Sequence, residues 1–289
     1  MLEEILDVLI AAVTLGAVEV LTVKRAGSLV AEYKDARELV TTADQRSDAA
    51  ILAVFRERLP RIDPTIAFEL EESGRFGGSS NKKAGADPLD GTNHFAAGGN
   101  LYSVQAHYVE KGIPLVGVVF QPEVYLPLEE TVDCVGRLAF AIRGQGAFVR
   151  RSLFRGDAFD FAEARRLTRR NLPQTRTYVS CVPFSTKMTT AERERTKKVY
   201  DSGIMASTTG TGGAGGNVMM TILGGQHVYA NFGAGEDLDL IPPQVIAEEA
   251  GLTVWGIDRR SPVWKVRKQP FVVAPTPEIA EEFFEAAEL

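Results

Sequence analysis

The chain has 289 residues, 45% of them hydrophobic and 24% charged, which excludes a disordered or fibrous chain and allows a substantial core. Its formal net charge of -6 and isoelectric point near 5.3 argue against a protein that grips a nucleic acid polymer through a basic face. Two cysteines, Cys134 and Cys181, are too few and too far apart for a zinc ligand set or a disulfide framework, so a cytoplasmic location is expected.

Apolar residues at positions 2, 5, 6, 9, 10 and 13 recur at helical spacing with no basic region ahead of them, the pattern of an amphipathic helix and not of a signal peptide. No uninterrupted apolar run reaches the roughly 18 residues of a membrane span, and no membrane partner is expected. A second helix is predicted from about Thr42, where Thr42-Ala43-Asp44-Gln45 fits a capping box, to about Leu59, where Pro60 ends it. Ile66, Phe68 and Leu70 then alternate with more polar neighbours as a short strand with Glu71 at its exit. The polar, glycine-rich stretch from Ser73 to Gly85 reads as a loop.

From Leu101 the pattern becomes an antiparallel meander. Tyr102 to Tyr108, Ile113 to Phe120, Arg137 to Ile142 and Ala147 to Arg150 are separated by the turns Glu110-Lys111-Gly112 and Arg143-Gly144-Gln145-Gly146. The second half alternates: a strand near Tyr178 to Val182, a helix from about Thr190 to Tyr200, a glycine-rich segment at 210 to 216 and a helix ended by Gly224-Gly225. A strand at His227 to Phe232, a helix from about Pro242 to Ala250 and a last helix capped by Thr276-Pro277 follow. The basic clusters at Arg165, Arg166, Arg169 and Arg170 and at Arg193, Arg195, Lys197 and Lys198 read as solvated helix faces. Strands first and alternation later suggest an α+β half, 1–150, packed in layers against an α/β half, 151–289.

The chemistry concentrates in Asp87-Pro88-Leu89-Asp90-Gly91-Thr92. Two aspartates three positions apart, in a turn stiffened by Pro88 and Gly91, can aim both carboxylates and the Leu89 carbonyl at one point. Mg2+ takes hard oxygen ligands of that kind. The N–H groups of Gly91 and Thr92 can bind phosphate oxygens if a helix or turn starts there. The hexapeptide alone is ordinary turn chemistry. Glu71 alone is a surface acid, and Asp44 and Asp239 alone are first-turn or capping acids. Their company gives the motif its weight.

Together these segments resemble the inositol monophosphatase family, within the lithium-sensitive phosphatase superfamily that includes fructose-1,6-bisphosphatase and the 3'(2'),5'-bisphosphate nucleotidases. Val40-Thr41-Thr42-Ala43-Asp44 is similar to its VT-x-AD element and Glu71-Glu72-Ser73 to its EES element. Asp87 to Thr92 with Phe95 matches its DP-[IL]-DGT-x-x-F element. Gly117-Val118-Val119-Phe120, Gly144-Gln145-Gly146-Ala147-Phe148, and Asp239 with Glu248-Glu249-Ala250-Gly251 follow in the family's order. The resemblance implies a layered αβαβα fold, a homodimer, and hydrolysis of a small phosphate ester assisted by two or three Mg2+ ions. It implies that Glu71, Asp87 and the Leu89 carbonyl hold one metal, and Asp87, Asp90 and Asp239 a second. Asp44 and the Thr92 hydroxyl would orient and help deprotonate the attacking water. Gly91, Thr92, Asp90 and Asp239 would contact the substrate.

The sequence departs from the family pattern at Leu238, where tryptophan is usual, at Pro242-Pro243, and at Ala84-Gly85-Ala86, which replaces an apolar strand. No carboxylate occurs near Asn231 and Phe232, where inositol-specific members tend to carry one. Inositol monophosphate or a related polyol phosphate is the expected substrate. A 3'(2'),5'-bisphosphate nucleotide, or a non-catalytic binding or assembly role, are the alternatives. Gly210-x-Gly212-x-x-Gly215, with Glu236 or Asp237 downstream, also fits a dinucleotide fingerprint, but Ser207-Thr208-Thr209 does not read as the end of an apolar strand. His94, His107 and His227 read as structural or surface residues.

Overall fold

The computed structural model describes residues 1–27, 30–33, 39–124, 134–172, 175–184, 188–210, 212–233, 237–264 and 269–289. The first helix, α1 (Leu2–Ala26), buries Ile5, Leu9, Val13, Ala17 and Val20 along one face, each large aliphatic among them contributing roughly 1.5–3 kcal/mol. By length and hydropathy α1 is apolar enough to cross a membrane, and half of its most apolar window is buried inside the protein. A two-stranded ribbon of β1 (Ala31–Tyr33) and β2 (Leu39–Thr41) leads into α2 (Thr42–Ile62).

The α2 cap lies one residue earlier than expected. Thr41 accepts the N–H groups of Ala43 and Asp44, and the Asp44 carboxylate accepts the Thr41 N–H at 2.8 Å. The helix also continues through Pro60 to Ile62. Pro60 sits on the exposed side, so the hydrogen bond it forgoes lies where water can replace it.

Next come β3 (Ile66–Leu70), β4 (Gly74–Phe76), β5 (Ser79–Asp90), α3 (Thr92–Ala96), β6 (Ser103–Glu110), β7 (Ile113–Gln121), β8 (Cys134–Ile142), β9 (Gly146–Arg155), β10 (Ala158–Phe161) and β11 (Arg165–Leu167). The expected loop from Ser73 to Gly85 is therefore mostly strand. Its ladders account for it: Lys83, Ala84 and Gly85 pair with Ala67, Phe68 and Glu69 on one side and with Val109, Tyr108 and His107 on the other. The large sheet runs β10-β9-β8-β7-β6-β5-β3-β4, with β11 added to β9, and only the β3–β5 pair is parallel. Residue 151 lies inside β9, and Arg165 and Arg166 belong to β11, not to a helix.

The remaining elements are β12 (Tyr178–Cys181), α4 (Thr190–Asp201), β13 (Met205–Thr208), α5 (Ala214–Leu223), β14 (Val228–Asn231), α6 (Asp237–Glu249), β15 (Thr253–Trp255), β16 (Phe271–Ala274) and α7 (Pro277–Ala286). They form a smaller sheet in the order β13-β12-β14-β16-β15, in which β13, β12 and β14 are parallel. A strand thus does precede the glycine-rich segment, while Glu236 lies outside the described residues. Helix α6 starts five residues earlier than expected and carries Pro242 and Pro243 inside it. Pro243 has no N–H for the Asp239 carbonyl, and Gln105 Nε2 donates to that oxygen at 3.4 Å instead.

Side chains alternate cleanly between layers. Val104, Ala106, Tyr108, Val118 and Phe120 of the large sheet join α1 and α2 in one core. Val109, Val119, Ala139 and Ala141 face α5 and α6, whose other side meets Cys181, Tyr229, Phe271 and Val273 of the small sheet. Val228, Ala230, Val272 and Ala274 face α4 and α7. The order is αβαβα, as expected. The C-terminal end of α6 is pinned to the large sheet: Glu249 accepts the N–H groups of Gly144 and Gly146, each at 2.7 Å, and Glu248 accepts Arg143 Nη2 at 2.6 Å.

One buried group stands out in the middle layer. The ring of His107, fully buried, has no hydrogen-bond partner for either nitrogen among the described residues. It occupies space that Gly85 leaves open, since a Cβ there would lie 2.5 Å from the ring. Burial, and then the charge of Lys83, hold its pKa well below the usual value. The unfolded chain therefore binds this proton more tightly than the native one. The corresponding stability is complete above about pH 6.5, the ordinary histidine value, and is lost as the pH falls below it. Urea midpoints of the wild type and His107→Phe at pH 7.5 and 5.0 test this; the wild type should lose more stability on acidification. Parallel losses would contradict it.

Candidate active site

Asp87 and Asp90 stand at the end of β5, where a bulge interrupts the ladder to β6 between them. The segment is thus a strand end and not the isolated turn expected from its proline and glycine. Ser47 of α2 donates to the Pro88 carbonyl at 2.8 Å, and the Leu89 N–H donates to Asp87 Oδ1 at 2.9 Å. Both bonds fix the direction of the intervening backbone.

The Asp90 carboxylate reaches across to the small-sheet half. Its Oδ1 accepts the N–H of Ala214 at 2.9 Å, and its Oδ2 accepts the N–H of Gly215 and the Ser103 hydroxyl, each at 2.9 Å. The first turn of α5 is where a helix presents unpaired N–H groups and partial positive charge, so an anion belongs there. The glycine-rich segment that resembled a dinucleotide fingerprint closes on a carboxylate of the same chain. Oδ1, with a single bond, keeps a lone pair.

On the other side, the Thr92 hydroxyl lies 3.0 Å from Asp44 Oδ1 and 2.9 Å from the Leu89 carbonyl oxygen, and its one proton serves one of them at a time. Asp44 is 3% exposed and takes two bonds from Thr41 on Oδ2. Burial raises its pKa against the lowering effect of Thr41 and Thr92. Gly91 and Thr92 open α3, where N–H groups have no intrahelical acceptor.

Glu71 follows β3, and Asp239 lies in the first turn of α6. Their electrostatic influence converges on Asp87, whose carboxyl is held well above the usual range by burial and then by the charges of Glu71, Asp90 and Asp239. Burial also raises Asp90, opposed by Ser103 and the α5 amides. The Tyr229 phenol of β14 is raised by burial, by Cys181, and further by Asp90 and Asp239. Acids from β3, β5 and α6 thus act on one volume at the carboxyl ends of β13, β12 and β14, where α/β sheets bind ligands.

The donor set fits a divalent cation in kind. It consists of hard carboxylate and carbonyl oxygens, and mutual repulsion is what a cation relieves. Among the described residues no three such side chains stand at the spacing of a finished metal cage. His94 is exposed on α3, and His227 Nδ1 accepts the Val179 N–H at 3.2 Å.

Sequence reasoning missed Ser47, Ser103 and above all Asp48. Asp48 is 2% exposed and accepts the N–H groups of Glu72 and Ser73 at 3.2 and 3.4 Å, together with the Ser73 hydroxyl. It therefore fixes the backbone directly after Glu71. The signal was its position one helical turn after Asp44, on the same face.

The sequence profile described as the inositol monophosphatase family matches residues 1–288. An inositol-1-monophosphatase of Synechocystis sp. is 38% identical over 94 residues, 32% of this chain and 31% of that protein. The Nus factor SuhB of Pasteurella multocida is 35% identical over 125 residues, 43% of this chain and 41% of that protein. The matched stretches thus span well under half the length of these curated relatives. The crystal structure of the extragenic suppressor protein suhB from Bartonella henselae superposes with a TM-score of 0.74 over 98% of both chains at 19% identity, a likeness of fold.

A Cβ on Gly213 would lie 2.3 Å from Asp90 Oδ2. Gly213→Ala should push the carboxylate off α5 and destabilise the protein by about 1–3 kcal/mol, the range of overpacking. Urea denaturation checks it, and an unchanged midpoint would show that Asp90 is not held there.

Proposed function

We propose that this chain, which belongs to the inositol monophosphatase family, is a Mg2+-dependent phosphomonoesterase acting on a small phosphate ester. The observation that carries the reading is the convergence of Glu71, Asp90 and Asp239, from three separate elements, on the buried carboxyl of Asp87. A structural role alone gives no reason to assemble like charges in a dry site, where each raises the cost of ionising the next.

In this reading Glu71, Asp87 and the Leu89 carbonyl would hold one Mg2+, and Asp87, Asp90 and Asp239 a second. Bound magnesium would supply electrophilic charge at the phosphoryl group and the leaving oxygen. The chain's own groups do the rest. The Thr92 hydroxyl, against Asp44 Oδ1 at 3.0 Å, orients the attacking water and passes its proton toward Asp44. Burial raises that acid, which makes it a better proton acceptor than an exposed aspartate. The Gly91 and Thr92 N–H groups face the phosphate oxygens, so positioning and fixed dipoles supply most of the acceleration. The hydroxyl-bearing part of the substrate would lie toward the ends of β12 and β14. Inositol monophosphate or a related polyol phosphate is the preferred substrate, and a 3'(2'),5'-bisphosphate nucleotide the alternative. Activity sensitive to Li+, a cytoplasmic site of action and a homodimer belong to the same proposal.

A second reading, a binding or assembly protein that keeps the fold, is favoured by one feature: both Asp90 oxygens already serve the protein. Phosphate release separates the two. Purified protein with Mg2+ should release phosphate from one of inositol 1-phosphate, adenosine 3',5'-bisphosphate or fructose 1,6-bisphosphate, and chelation with EDTA should stop it. Asp90→Asn should lower the rate by at least about 10-fold, since even the groups that support metal ligands are worth about 10–100-fold. No release across the panel would favour the assembly reading.

A further inference from the structure

Lys83 lies on β5, four residues ahead of Asp87. Its ammonium stands 3.2 Å from Glu69 Oε2 and 3.4 Å from Asp237 Oδ2. The three side chains are largely withdrawn from solvent, at 18% exposure for Lys83, 24% for Glu69 and 12% for Asp237. Glu69 belongs to β3, two residues before Glu71, which follows the strand. Asp237 opens α6, two residues before Asp239 and in the same first turn. One side chain therefore touches each of the three elements that carry the proposed metal-binding carboxylates.

We infer that Lys83 is a positioning residue that fixes β3 and the first turn of α6 relative to β5, and so sets the affinity of the site for a divalent cation. The inference rests on the phosphatase reading above. Metal ligands from separate elements need their spacing held to a fraction of an ångström, and the groups behind them supply that precision. Beside Lys83, Gly85 offers no side chain, and the space over Gly85 holds the His107 ring, 2.5 Å from where a Cβ would stand, and Leu238, next to Asp239, at 3.0 Å. The ion pairs of Lys83 with Glu69 and Asp237 add directional ties between β3, β5 and α6 to that packing. Removing its cation would take away the ammonium between the partly buried Glu69 and Asp237 carboxylates, and their repulsion would act to push β3 and α6 apart.

Two ideas about this lysine give opposite results. If Lys83 only adds positive charge near the site, removing it strengthens cation binding. If it positions the ligands, removing it weakens binding although the site becomes more negative. Isothermal titration of the full chain with MgCl2, with the melting temperature measured without Mg2+ as a control for folding, distinguishes them. Lys83→Met should weaken Mg2+ binding by about 10-fold or more, the usual loss when a group supporting metal ligands is removed. Lys83→Arg, which can bridge the same two acids, should restore most of it. Should Lys83→Met fail to fold, Asp237→Asn cuts the α6 arm alone and should weaken Mg2+ binding in the same direction. Binding by Lys83→Met or Asp237→Asn as tight as the wild type, or tighter, would overturn the inference. A wild-type chain that neither binds Mg2+ nor releases phosphate would instead overturn the phosphatase reading itself.

Discussion

The fold depends on a carboxylate seated on a helix of the other half of the chain. Asp90 leaves the large sheet at a bulge in β5 and meets the first turn of α5, which continues from the small sheet. A carboxylate at a helix N-terminus is favourable by about 0.3–1 kcal/mol when exposed and more when partly buried, and its geometry is directional. It specifies where the two sheets meet, which the apolar layers between them do not. Those layers, built of Val119, Val218, Ile222 and Val245, supply most of the energy of association, and non-directional burial tolerates sliding. Asp90 does not, because sliding would break its bonds to the Ala214 and Gly215 N–H groups and the Ser103 hydroxyl.

Around that seat the molecule accumulates negative charge in a dry place. Asp87 carries the cost most plainly, since burial and three acids raise it together. The protein offsets part of this with fixed donors: the α5 amides and Ser103 for Asp90, Thr41 for Asp44, and the Glu72 and Ser73 amides for Asp48. Lys83 offsets Glu69 and Asp237 nearby. Asp87 receives one backbone bond, from Leu89. Among the described bonds, Asp87, on which the other acids converge, is thus less compensated than Asp44, Asp48 and Asp90. Proteins tend to break local rules of stability where function requires it.

Much of this was legible because it is local. The meander from Tyr102 to Arg150, the helix from about Thr190, the cap at Thr276 and the glycine stop at Gly224 follow from periodicity and terminal residues. The hexapeptide, Glu71 and Asp239 stood out by pattern and resemblance. What failed depended on partners distant in sequence. Asn81, Lys82 and Lys83 look like loop, and they are strand because β3 and β6 flank them. The residues of β13 and β15 are too few for a period to show. Pro242 and Pro243 read as a helix start, but Gln105 on β6 supplies a donor that lets the helix begin at Asp237. Asp48 looked like any polar residue of an amphipathic helix until the chain brought Glu72 and Ser73 back to it.

The location of the site follows from this division. A switch point forms where the parallel strands β12 and β14 diverge toward helices on opposite faces of their sheet, and such a crevice can receive a ligand; the start of α6 brings Asp239 to it. The large sheet supplies Asp87 and Asp90 at a strand end, and the helix N-terminus that seats Asp90 is that of α5. Joining the two gives both, and α6 closes the arrangement by running from Asp239 at the crevice to Glu248 and Glu249 on the far turn of the large sheet. Its first turn and its last are therefore both fixed to strands, and any rotation of α6 that moved Asp239 would strain the turn at Gly144 to Gly146. The rigidity needed near the acids is drawn from hydrogen bonds at the opposite end of the same helix.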